Sequence, residues 1–274
     1  MILSVPGGPT STDVVAAVAA RHRELIEALT AVDEAALVQP SRLPGWPPLT
    51  ILCHLRYGAE ANILMTADIL ADRRTAYYPD GRERQRAATL QPQCGESPAD
   101  VVDSLARSCQ ALDQVWLGVP EDSWVTAQLH EPDNNVDLGP LALGQLALLR
   151  LTEVEVHGSD LDLDLTPWST TFVDAALPMR LGWLRTKRSN QQIPDRSIRG
   201  SWNLVSTDGP PFSVSVTSLG VTVDDRRSPV ADSTISGTKV QLLAMLLGRV
   251  SIEDLALSGD PTHALSFRRA FPPP

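Results

Sequence analysis

The residues best suited to chemistry lie in "LLRLTEVEVHGSDLDL", residues 148–163, where Glu153 and His157 stand four apart in an otherwise apolar helical run. Four residues is about one helical turn, so both side chains leave the same face. A carboxylate and an imidazole on an inward face need partners, because an unpaired buried polar group is costly. Those partners are each other, a distant side chain or a metal ion. His54, in the middle of the helical stretch "TILCHLRYG", is a third candidate donor. Two imidazoles and one carboxylate from two helices form a common ligand set for zinc or another divalent ion. Taken alone, Glu and His at this spacing also describe a surface ion pair or a satisfied core histidine.

The neighbouring residues are read against that pair. Asp160, three residues beyond His157, is placed to orient its ring as an acceptor. Glu155, two residues from Glu153, points to roughly the opposite side of the helix and is expected in solvent. His22 sits between arginines in "ARHREL" and reads as surface, whereas His130 and His263 have no helical partner. The run "SDLDLDLT" lacks the Gly and terminal Glu of a calcium-binding EF-hand loop. Neither a Gly-rich phosphate loop, a GxSxG elbow nor an HExxH motif is present. Cys53 adjoins His54, but helical neighbours diverge by about 100°, so it reads as a buried structural cysteine.

These side chains need a scaffold, and the chain is long enough to build one. Its 274 residues suffice for two modest domains, and 43% hydrophobic with 20% charged residues is ordinary globular composition. A net charge of −10 argues against nucleic acid or an anionic membrane as partner. Three cysteines, Cys53, Cys94 and Cys109, form no CxxC pair and no even set, which suits a reducing cytoplasm. No secretory leader is evident in "MILSVPGGPTSTD", and no apolar run reaches the roughly 18 residues of a membrane span.

Residues 1–165 read as four amphipathic helices. The first, "STDVVAAVAARHRELIEALTAVDEAAL", starts at Ser/Thr/Asp caps and repeats Val14, Val15, Val18, Leu25 and Leu29. The proline-broken "PSRLPGWPPLT" separates it from "LTILCHLRYGAEANILMTADILADRR", with Thr50 as a cap. In the third, Ser97 caps and Pro98 takes the first helical position. The fourth carries Glu153 and His157. Four such helices predict a four-helix bundle with a site built from facing helices. The segment "TAYYPDGRERQRAATLQPQCGE" is a loop long enough to be functional. Residues 166–274 form a second, α+β domain: Ile198, Trp202 and Leu204 share a face, and "PFSVSVTSLGVTVDD" alternates as a hairpin. Helices return in "GTKVQLLAMLLGRV" and in "SGDPTHALSFRRAF", capped by Asp260 before Pro261.

Three segments together resemble the mycothiol-dependent maleylpyruvate isomerase family, within the wider DinB-like superfamily: "RLPGWPPLTILCHLRYGAEAN", "RRTAYYPDGRERQR" and "RLTEVEVHGSDLDL". The pattern "ISGTKVQLLAMLLGRV…LALSGD" is similar to the family's sterol-carrier-like second domain. The resemblance implies His54, Glu153 and His157 as ligands of zinc or another divalent metal, the same three reached from the residues. It implies an arginine from the second domain near the active cleft, for which Arg249 is the best match. Trp46 and Tyr57 are placed to line that cleft, and Arg150 is the basic residue nearest the ligands.

The implied activity is a thiol reaction. Coordination favours the thiolate of mycothiol, which attacks a small electrophile. The scarcity of basic residues near the ligands tilts the reading towards a cytoplasmic mycothiol S-transferase of detoxification or antibiotic biosynthesis. Maleylpyruvate isomerisation is the alternative, and a non-catalytic apolar-ligand-binding protein a third reading. A monomer or a homodimer is expected.

Overall fold

The computed structural model describes residues 7–129, 141–189 and 198–273, so His130 lies outside the described residues. The chain divides into two compact units, one spanning Pro9–Phe172 and the other containing Val173–Pro274. The division falls at residue 172, inside a helix.

The first unit is helical. Helix α1 (Ser11–Leu29) opens with Thr10, whose hydroxyl accepts from the Asp13 amide at 3.1 Å while the Asp13 carboxylate accepts from the Thr10 amide at 2.8 Å. Helix α2 (Pro48–Leu70) begins on two prolines, with Pro47 as the cap and Pro48 in the first turn, where a missing N–H costs little. Thr50 therefore lies inside the first turn and is not the cap. A short helix α3 (Arg82–Thr89) occupies the segment expected as loop. Helix α4 (Pro98–Leu117) is capped by Ser97 in a reciprocal box with Asp100, with Pro98 at its start as the sequence indicates. A single-turn helix α5 (Ser123–Thr126) and two short paired strands, β1 (Gln128–Leu129) and β2 (Leu141–Ala142), lead into helix α6 (Leu143–Asp160).

Four long helices close the bundle in the order α1–α4–α2–α6, each packed on the next and the last on the first. Helix α6 buries residues around most of its circumference, including Leu143, Ala147, Leu151, Val154 and Val156. That burial corrects two expectations. Glu155 is 1% exposed rather than solvated, because the side of α6 facing away from Glu153 is covered by α1 and by residues 166–169. Its carboxylate accepts from Arg21 Nε at 2.7 Å and from Arg21 Nη2, and from the Ser169 hydroxyl at 2.6 Å. His22 is also buried rather than on the surface: its Nδ1 meets Asp113 at 2.8 Å, and its Nε2 accepts from Arg150.

Helix α7 (Thr170–Ser189) was not legible in the sequence, since Pro178 interrupts its pattern. Beyond it, β3 (Gly200–Ser206), β4 (Phe212–Thr217), β5 (Gly220–Asp224), β6 (Ser233–Gly237) and β7 (Ala256–Gly259) form one sheet in the order β5-β4-β3-β6-β7. The expected hairpin is β4–β5, with Val214 opposite Val223 and Val216 opposite Val221. Only the β3–β6 pair is parallel. Helices α8 (Lys239–Leu246) and α9 (Pro261–Ala270) complete the unit; α9 is capped by the Asp260 carboxylate, as expected. Trp202 is wholly buried, and its indole N–H donates to the His263 carbonyl at 2.9 Å. No helix among the described residues is long and apolar enough to cross a membrane.

Candidate metal centre

Helices α2 and α6 are neighbours in the bundle, and that adjacency brings His54 to the Glu153–His157 pair. One donor atom from each of the three residues lies within 4.8 Å of the others. His54 Nε2 is 2.7 Å from Glu153 Oε2, and His157 Nε2 is 3.3 Å from the same oxygen. Side-chain exposure decides the direction of approach: the two imidazoles keep 11% and 14% of their surface, the carboxylate 39%. The cluster therefore opens on the Glu153 side.

Its charges are strongly coupled. Burial alone would raise the Glu153 carboxyl, but hydrogen bonds from His157 and His54 and their positive charge outweigh it and hold the group well below the usual carboxylate range. For His157, burial works against the proton, yet Asp160 and Glu153 together push it up to about 9. The Asp160 carboxylate lies 2.9 Å from His157 Nδ1, which orients the ring and leaves Nε2 for the cluster. Trp46 stacks on the His157 ring with centroids 5.9 Å apart and meets His54 edge-on at 5.4 Å.

Two imidazole nitrogens, a carboxylate oxygen and an acceptor behind one imidazole suit a borderline divalent ion such as zinc. The donor set thus passes the chemical test. His54 Nδ1 is buried without a hydrogen-bond partner among the described residues, so His157 is the better-oriented imidazole. Two results are expected. Asp160→Asn weakens divalent-ion binding about 10- to 100-fold, read by competition with a chromophoric chelator. In the same assay on the parent, affinity rises by about tenfold per pH unit from pH 7 and flattens above about 9, because the ion displaces the His157 proton. Without an ion, that raised His157 value also contributes stability below its ordinary value near 6.5, and the contribution is lost as pH climbs through about 9.

The other expected residues fall differently. Trp46 lies against both imidazoles, as described above. Tyr57 is half-buried, stacks on Tyr78 and donates its hydroxyl to the Tyr77 carbonyl at 2.6 Å. Burial, then the neighbouring Tyr78, Glu60 and Asp80, push that hydroxyl up to about 12, so it is poorly suited to proton transfer near neutral pH. Arg150 is 1% exposed; its guanidinium donates to the Leu55 carbonyl at 2.8 Å and to His22 Nε2, with Cys109 Sγ at 3.5 Å. From α6 it thus reaches α1, α2 and α4, tying the four long helices of the bundle together. Arg249 belongs to the second unit, where it donates to the Leu247 carbonyl at 3.0 Å. One residue went unread: Arg86 of α3 lies over the Trp46 ring, 5.7 Å from its centroid. The only sequence signal was the arginine-rich "GRERQR" within a segment noted for its length.

Two solved structures share this architecture. One is described as the mycothiol-dependent maleylpyruvate isomerase, at 16% identity and a TM-score of 0.65, covering 91% of this chain and 93% of that one. The other is an alanine variant of that enzyme at one histidine, with the same identity, coverage and TM-score. At this identity the likeness establishes the fold. No curated protein matches the chain in sequence. Residues 18–162 match the family described as the mycothiol maleylpyruvate isomerase N-terminal domain, and these residues contain the whole His54, Glu153 and His157 cluster. The chain belongs to that family.

Proposed function

We propose that the chain is a divalent-metal-dependent enzyme using mycothiol as cosubstrate, and that it isomerises a small unsaturated acid rather than transferring the thiol permanently. The observation that carries this is the convergence of His54, Glu153 and His157 within 4.8 Å on two adjacent helices. His54, Glu153 and His157 would hold the ion, with zinc the preferred identity. A bound divalent ion would stabilise the thiolate form of an incoming thiol, whose free pKa near 8.5 leaves it mostly protonated at neutral pH. The preference for isomerisation over S-transfer is supported by the two similar solved structures named above, each described as a maleylpyruvate isomerase or a variant of it.

The chain's own side chains prepare the site. Asp160 holds the His157 ring through Nδ1, Trp46 covers one side of both imidazoles, and the open side lies at the Glu153 carboxylate. The chemistry balances without a further reagent. The thiolate sulfur adds to one carbon of the conjugated double bond, and the π pair moves onto the adjoining carbonyl system. Rotation follows about the bond that is now single. The pair then returns, the C–S bond breaks and the thiolate leaves unchanged. Permanent S-transfer would instead end with the conjugate.

The test incubates zinc-loaded protein with mycothiol and maleylpyruvate and follows both acid and thiol by chromatography. Formation of the trans isomer with the thiol conserved supports isomerisation. Accumulation of a stable S-conjugate moves the reading to S-transferase. If neither forms, with or without zinc, the enzymatic reading fails and that of an apolar-ligand-binding protein replaces it.

A further inference from the structure

Helix α3 has no buried residue, so core packing does not explain why it is there. Its contacts with the bundle run through arginines on aromatic faces. Arg82 and Arg86, four residues apart on one side of the helix, lie over the Tyr78 ring at 5.8 Å and the Trp46 ring at 5.7 Å. Tyr78 stacks on Tyr57, and Trp46 stacks on His157. Trp46, the aromatic wall of the metal centre, thus carries a cation, and Tyr78 a second.

Arg86 is the one that matters for chemistry. It is half-buried, and its contacts among the described residues are the Trp46 ring and the Tyr78 hydroxyl at 3.4 Å; no carboxylate reaches it. A guanidinium that has lost part of its hydration and has no counter-ion favours an anion in its place. Its planar fork matches a carboxylate in two parallel hydrogen bonds. The Trp46 ring it lies over also stacks on His157, so Arg86 is linked to the metal centre through that one ring. The arginines nearer in sequence are already committed, Arg56 to Glu96 at 2.5 Å and Arg150 to the bundle interior.

We propose that Arg86 is a specificity-determining residue, receiving a carboxylate of the second substrate at the rim of the metal centre. This rests on the reading of that centre as the site of thiol chemistry, and it weakens the argument for S-transfer drawn from a scarcity of basic residues near the ligands.

The experiment compares parent, Arg86→Gln and Arg86→Lys, all zinc-loaded, by two measurements. The first is steady-state kinetics with mycothiol and maleylpyruvate; the second is calorimetric binding of maleate, a non-reacting dicarboxylate. Arg86→Gln is expected to raise the KM for the acid about 10- to 100-fold and weaken maleate to the same degree. Its kcat, its KM for mycothiol and its zinc content stay near those of the parent. Arg86→Lys recovers part of the loss, since it restores the charge without the fork. A purely structural role for Arg86 would instead lower kcat or zinc content in both variants, and that overturns the proposal. So does unchanged acid KM and maleate affinity in Arg86→Gln, a rise confined to the mycothiol KM, or a parent that binds no maleate. If the parent binds maleate in an Arg86-dependent way yet turns nothing over, the carboxylate site stands and the isomerase reading falls.

Discussion

His157→Ala is expected to abolish divalent-metal binding and, with it, the proposed thiol-dependent activity. Of the three donors, His157 carries the most support: Asp160 fixes its ring, Trp46 stacks on it and Glu153 faces its Nε2. Loss of a residue that merely orients a ligand typically costs 10- to 100-fold in affinity, so loss of the ligand itself should cost at least about 100-fold. Elemental analysis of protein purified without a metal-affinity tag is the direct check. Close to one equivalent of metal in the parent and almost none in the variant is the expected pair of results. Near-zero metal in both after zinc is supplied would reduce Glu153 and the two histidines to a buried polar group. Thermal stability separates the alternatives further, because a bound ion stabilises the parent by an amount that grows with the logarithm of its free concentration, and the variant should show no such dependence.

Glu155→Ala, one turn before the end of the same helix, is expected to produce the largest loss of stability. Arg21 is 4% exposed, and removing the carboxylate beside it leaves a guanidinium buried with only Glu24 and the Thr166 and Pro167 carbonyls. Breaking a buried pair on one side costs about 3–5 kcal/mol. Replacing both partners with apolar residues, Arg21→Met with Glu155→Leu, should recover most of that, since neither charge then remains to be satisfied. Urea titration of the parent, Arg21→Met, Glu155→Leu and the double variant completes a cycle. Equal losses in the single and double variants would mean that the site is limited by packing and not by charge. Zinc content in the folded Glu155→Ala protein should match the parent, which separates this pair from the metal centre two residues away.

These two predictions mark where local pattern stopped informing. Glu153 and His157 were legible because their relation is a property of one helix: four residues is one turn wherever the helix sits. The caps of α4 and α9 were legible for the same reason, since Ser97 with Pro98 and Asp260 with Pro261 satisfy or forgo amide donors within a few residues. Alternation likewise revealed the β4–β5 hairpin. Where the relevant neighbour comes from elsewhere, the same reasoning misled. His22, between two arginines, looked like surface until Asp113 and Arg150 met it inside the bundle. Glu155 does point away from Glu153, but α1 covers that side too. Thr50 lost the cap to a proline pair that needs none.

The sequence by itself therefore determined the helical register that pairs Glu153 with His157, the choice of His54 as a third candidate donor, the helix boundaries written in short-range capping, and the mixed character of the second unit. Only the tertiary structure decided that α2 lies beside α6, so that His54 reaches the pair, and that Arg86 lies over Trp46. The physical reason is range. Backbone hydrogen bonds and side-chain periodicity act over one or two turns, whereas the cost of burying a charge is settled by whichever residue the folded chain sets against it.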